Sequence, residues 1–147
     1  VHGMNDYANA FSLAAPEWAK RGLSTYAYDQ RGFGRSPGQG VWPGAPALKQ
    51  DLHDFVAALR RAHPGSPVFV AGHSMGAAVV MAAHRDRPLD ADGIILAAPG
   101  VWGGAQMPLF YRLTLNLAAG VAPRKTLTGE SAGRQASDNI EFLRAMY

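Results

Sequence analysis

The sequence predicts an α/β fold: a mostly parallel sheet with flanking helices. Three observations carry this. Short strand-like runs recur at residues 24–29, 68–71 and 94–97. Segments of helical spacing lie between them, the alternation that places strands in parallel through helical crossovers. One run also passes straight into a helix through Gly72-His73-Ser74-Met75-Gly76, with glycine on either side of a serine.

In chain order, residues 7–21 read as a helix made irregular by Pro16, which lacks an N–H and crowds the preceding turn. Gly22 closes it, and 24–29 is the first strand. Residues 30–45 form a Gly/Pro-rich loop with Trp42 as its expected anchor. Leu48, Leu52, Phe55 and Leu59 recur at steps of four, three and four, the stripe of an amphipathic helix over about 47–62. Pro64-Gly65-Ser66-Pro67 ends it and opens a buried strand over 68–71. Residues 77–87 then read as a helix and 94–97 as the next strand. From Val101 the texture changes. Trp102, Met107, Leu109, Phe110, Tyr111, Leu113, Leu115 and Leu117 are too dense for one core-facing stripe. They fit either helix packing or a cap whose apolar underside covers Ser74 and receives an acyl chain.

The serine turn carries the chemistry. Side chains at Gly72 or Gly76 would collide with the neighbouring strand or helix, so a sharp turn requires glycine there. Such a turn lifts the Ser74 hydroxyl clear of the sheet, at a helix N-terminus where developing negative charge is favoured. A second match to the pattern, Gly129-Glu130-Ser131-Ala132-Gly133, follows no buried strand and leads into no small-residue helix. Ser131 therefore reads as a loop or cap serine.

Three more segments extend the motif. They are Val1-His2-Gly3-Met4-Asn5-Asp6-Tyr7, then Asp29-Gln30-Arg31-Gly32-Phe33-Gly34-Arg35-Ser36-Pro37, and finally Gly93-Ile-Ile-Leu-Ala-Ala-Pro99-Gly. With the serine turn they resemble the α/β-hydrolase superfamily, and within it the monoacylglycerol-lipase and lysophospholipase-like serine hydrolases. The resemblance is good over residues 1–100 and looser over 101–147. It implies a partial α/β-hydrolase core over 1–100 and the start of a cap over 101–147. It also implies Ser74 as nucleophile, with the backbone N–H groups of Met4 and Met75 as the oxyanion hole. His2, Gly3, Gly72, His73 and Gly76 would support the elbow and the turn, the His2 ring bracing it. Two preorganised donors of this kind are worth about 3–4 kcal/mol each to a tetrahedral oxyanion.

A serine hydroxyl needs a base, and the base needs an orienting carboxylate. The superfamily orders these Ser, then Asp or Glu, then His. After Ser74 the only histidine is His84, on the helix leading away from the turn; His53 and His63 lie on or just after the preceding helix. Asp86, Asp90 and Asp92 read as surface turn residues, while Glu130, Asp138 and Glu141 fall in the cap. The expectation is an N-terminal-central piece of a longer hydrolase, inactive by itself, whose acid and base lie beyond Tyr147.

Composition narrows the partners. With 48% apolar and 17% charged residues the chain is of globular type, and with no cysteine it forms no disulfide. Neither a metal site nor a cofactor is implied. The Gly-x-Gly of the 30–37 loop has Pro37 where a dinucleotide fingerprint needs its third glycine, and another loop follows rather than a helix. Asp29 and Arg31 are instead assigned to holding that loop. The net charge of +3 is dispersed, with no basic run longer than two residues, so no nucleic-acid partner is expected. The expected partner is a small apolar ester, with transient membrane-surface contact through the cap left open. Oligomeric state is not legible, and the compartment is cytoplasmic only by default. Two alternatives remain: a small-substrate peptidase or amidase of the same fold, and a non-catalytic protein binding apolar ligands. Epoxide and haloalkane hydrolases, which carry aspartate at the elbow, are disfavoured by Ser74.

Overall fold

A computed structural model describes residues 1–101, 107–122 and 140. A 3-10 turn (Ala8–Phe11) precedes α1 (Ala14–Ala19), α2 (Ala45–Ala62), β1 (Phe69–His73), α3 (Met75–Asp86), β2 (Gly93–Ala97) and α4 (Leu109–Val121). β1 and β2 pair in parallel, from Phe69 opposite Gly93 to His73 opposite Ala97. On the other edge of β1, the Val1 nitrogen donates to Ala71 O (2.6 Å) and His73 N donates to Val1 O (3.0 Å). That is the slanted bonding of a parallel pair centred on Gly72. The sheet therefore brings Val1–His2, β1 and β2 side by side, and their C-terminal ends converge on Ser74.

The core lies on one face of this sheet. Leu48, Leu52 and Val56 of α2 meet Val70 of β1, Val79, Val80 and Ala83 of α3, and Leu89. Leu48 and Leu52 are fully buried, each contributing about 1.5–3 kcal/mol by leaving water. The stripe has the expected phase, although Val56 is buried more deeply than Phe55 or Leu59. Lys49 of α2 also pairs with Asp86 at the end of α3.

Four expectations need correction. The strand 68–71 is buried on one side only: Val70 and Gly72 point into the core, while Phe69 is 59% exposed because no described helix covers that face. Residues 24–29 form no ladder, making no backbone hydrogen bond to another segment among the described residues. Tyr28 still packs against Phe55, with ring centroids 4.5 Å apart. The helix over 7–21 splits in two, and Pro16 sits as the third residue of α1, where its missing N–H needs no helical partner. Gly22 does close α1, with φ of 79° and Leu23 N donating to Trp18 O. Finally, Trp42 is 53% exposed rather than a buried anchor.

The loop after residue 29 is held by other means. Asp29 accepts from Arg35 N (2.7 Å) and from Ala8 N (2.8 Å), and these two backbone donors hold its carboxyl below the usual range. Arg31 makes two bonds to Asp51 on α2, at 2.7 and 3.1 Å. Asp29 and Arg31 thus do hold the loop, as the sequence suggests.

α4 buries none of its residues, so its apolar side chains face solvent among the described residues. Trp102, Glu130, Ser131, Asp138 and Glu141 lie outside the described residues.

Candidate active site

Ser74 stands between the last residue of β1 and the first of α3, with φ of 52° and ψ of −118°. A β-carbon makes that conformation costly, by about 1–3 kcal/mol, so the surroundings must impose it. They do so three times. Ser74 N donates to Ala97 O (3.0 Å), extending the sheet ladder, while Ser74 O accepts from Ala78 N (3.2 Å) and Gly100 N (3.0 Å). A serine preceding a helix ordinarily caps it with its hydroxyl. This one makes no capping bond, which leaves the Ser74 hydroxyl uncommitted beside the N–H groups that open α3.

The flanking glycines are required by contact. A β-carbon on Gly72 would lie 2.7 Å from Ala77 Cα, and one on Gly76 2.5 Å from His2 O and closer still to Val1 O. One on Gly3 would lie 3.3 Å from Ser74 Cβ, so the His2-Gly3-Met4 turn passes directly over the serine. The structure thus brings His2, Gly3, Gly72, Gly76 and Met75 around Ser74. Met4 follows on the same turn with its side chain 56% exposed, and its N–H and that of Met75 bond to no other group among the described residues. His73 is exposed.

His2 is buried and its tautomer follows from its partners. Gln30 N can only donate, and it lies 2.9 Å from His2 Nε2, so Nε2 is the acceptor. His2 Nδ1–H then donates to Gly3 O at 2.9 Å, a bond within the turn itself. Burial lowers the His2 pKa below its ordinary 6.5, more than the Gly3 bond and the nearby Asp6 raise it. The folded protein therefore holds the ring neutral where an unfolded chain would take a proton. This contribution is complete above about pH 6.5 and is lost as pH falls through the lower folded value. Urea midpoints are expected to drop between pH 8 and pH 5, and to drop less in His2→Gln, which keeps an acceptor but cannot titrate.

Several other titratable groups have structural partners. His84 Nδ1 accepts from Leu89 N (3.2 Å), and His63 lies against Tyr26 with centroids 5.1 Å apart. Asp92 accepts from Val68 N (2.7 Å) and pairs with Arg60 (2.8 Å), pinning the entrance to β1. No described histidine or carboxylate is hydrogen-bonded to the Ser74 hydroxyl, and no described cluster of His, Asp or Glu could hold a metal ion.

Several residues around the site escape a sequence reading. Asn5 and Ala98 take positive φ, 57° and 45°, as Ser74 does. These non-glycine residues in a region that favours glycine follow the three strand-like segments that meet at the turn. Gly100 is packed so tightly that its β-carbon would lie 3.4 Å from Met75 N. Gln30 is fully buried against His2. The Asp-Gln-Arg-Gly run marks the Gln30 segment in the sequence; nothing marks Asn5 or Ala98.

A parallel sheet with flanking helices and a strained serine between strand and helix defines a partial α/β-hydrolase fold. The chain belongs to the serine aminopeptidase S33 family of hydrolases, whose profile matches residues 1–147. Among curated relatives, it is 33% identical over 102 residues to the monoacylglycerol lipase of Mycolicibacterium smegmatis, covering 69% of this chain and 36% of the relative. It is 28% identical over 145 residues to the monoglyceride lipase homolog of Monkeypox virus, covering 96% of this chain and 52% of the relative. The chain thus spans about half or less of these relatives. In fold it is similar to the Paleococcus ferrophilus monoacylglycerol lipase, with a TM-score of 0.74 at 21% identity, covering 98% of this chain and 54% of that one.

Proposed function

We propose that the protein hydrolyses carboxylic esters of apolar acyl chains, of monoacylglycerol or lysophospholipid type, through an acyl-enzyme on Ser74. The observation that carries this is the Ser74 hydroxyl itself: held on a strained turn at a helix start, and spared from capping the helix. The hydroxyl attacks the ester carbonyl as a base takes its proton. The Met75 and Met4 N–H groups receive the oxyanion, and collapse expels the alcohol, which takes up the proton. Water then attacks the acyl-enzyme and releases the acid. In the chain order of this superfamily the base and its orienting carboxylate follow the nucleophile. Lipase-named relatives support the ester class, and the exposed apolar side chains of α4, Leu109, Phe110, Leu113 and Leu117 among them, support an apolar substrate or a cap that meets a lipid surface.

The family description favours a second reading, in which the substrate is an N-terminal amide. The two separate in a direct comparison, using the protein as the cell makes it. Turnover of a long-chain monoacylglycerol is expected to exceed that of an aminoacyl p-nitroanilide by at least about 100-fold in kcat/KM. The reverse preference would establish the amidase.

A further inference from the structure

We propose that Gln30 is a positioning residue for the oxyanion turn, an inference that rests on the hydrolase reading above. Its side chain is fully buried, and its Nε2 donates to the carbonyl of His2 at 2.8 Å while its backbone N–H holds the His2 ring at 2.9 Å. The same His2 carbonyl is pressed from the other side by α3, where a β-carbon on Gly76 would come within 2.5 Å of it. The His2–Gly3 peptide is therefore gripped between the Gln30 amide and the first turn of α3. Its orientation sets that of the next peptide, whose N–H is that of Met4. Gln30 Oε1, meanwhile, is buried without a partner among the described residues. An apolar side chain of the same length would leave no such orphan acceptor. What the position uses is the amide's donor, aimed at the backbone of the turn.

The test compares wild type, Gln30→Met and Gln30→Glu with p-nitrophenyl butyrate, using the protein as the cell makes it. Gln30→Met keeps the shape, loses the donor and removes the orphan acceptor. Its kcat is expected to fall at least about tenfold with KM changed less than about twofold, because a misplaced oxyanion donor weakens the transition state rather than substrate binding. Its Tm is expected to fall by several degrees, since the His2 carbonyl loses its donor as the Gln30 orphan is relieved. Gln30→Glu can donate to the His2 carbonyl only while protonated. Its kcat relative to wild type is expected to fall as pH rises, and this variant decides the matter if Gln30→Met does not fold. A Gln30→Met kcat within twofold of wild type, or a Gln30→Glu profile parallel to it, would overturn the role of Gln30 alone. A wild type inert to both ester and a serine-directed phosphonate would overturn the hydrolase reading and this role with it.

Discussion

Ser74→Ala is expected to reduce ester hydrolysis by at least about 10⁴-fold while leaving the fold intact, since removing a nucleophile disables the whole constellation acting on it. Stability is expected to stay within about 0.5 kcal/mol, because the Ser74 hydroxyl takes no part in capping α3 and alanine keeps the same β-carbon in the same strained backbone. The three main-chain bonds at Ser74, to Ala97, Ala78 and Gly100, are untouched by the change. Hydrolysis rates, read beside the urea midpoint, check both halves. A substitution that spared activity would remove Ser74 from the chemistry, and one that unfolded the protein would recast it as a structural residue.

Gly76→Ala is expected to produce the largest stability loss among the glycines of the turn, about 2–4 kcal/mol. The added methyl would lie 2.5 Å from His2 O and closer to Val1 O. Both obstacles are backbone, so no side-chain rotation relieves the clash, and the Val1–Met4 segment has to move away from α3. Displacing the Met4 N–H by about 1 Å is enough to slow a reaction by about 100-fold, so the folded fraction is also expected to be impaired. Gly120 of α4 supplies the control. It has no neighbour within 4 Å of a built β-carbon and no unusual φ, so Gly120→Ala is expected to be neutral or slightly stabilising. Urea midpoints of the two variants, with hydrolysis rates below the transition, separate these outcomes. Equal stability of both variants would mean that the approach of His2 to α3 is not as close as described.

The parts of the molecule that sequence makes legible are those whose cause is local. The stripe Leu48, Leu52 repeats with the helical period, and α2 follows it. Gly72 is forced by Ala77 and Gly76 within the turn itself, so strand, serine and helix can be read in one line of sequence, whereas the contact that forces Gly76 comes from the distant Val1 and His2 carbonyls. What is not legible depends on distant neighbours. Whether 24–29 becomes a ladder depends on the backbone beside it, which its own residues do not specify. Trp42 has the size of an anchor yet is 53% exposed, whereas Asp29 and Arg31, assigned to the loop from the sequence, do hold it. Gln30, a polar residue in a loop motif, gives no sign of burial until His2 is placed beside it. The same limit governs α4, whose dense apolar residues mark it as unusual without saying what they meet.

The most direct test of Ser74 as nucleophile is covalent capture. The protein as the cell makes it would be treated with a fluorophosphonate and digested with trypsin, and the adduct located by fragment-ion mass spectrometry. Expected is a single modified peptide, residues 62–85, with the adduct on Ser74 and none on Ser131. An adduct on Ser131, or an unmodified Ser74 in a protein that still hydrolyses esters, would contradict it.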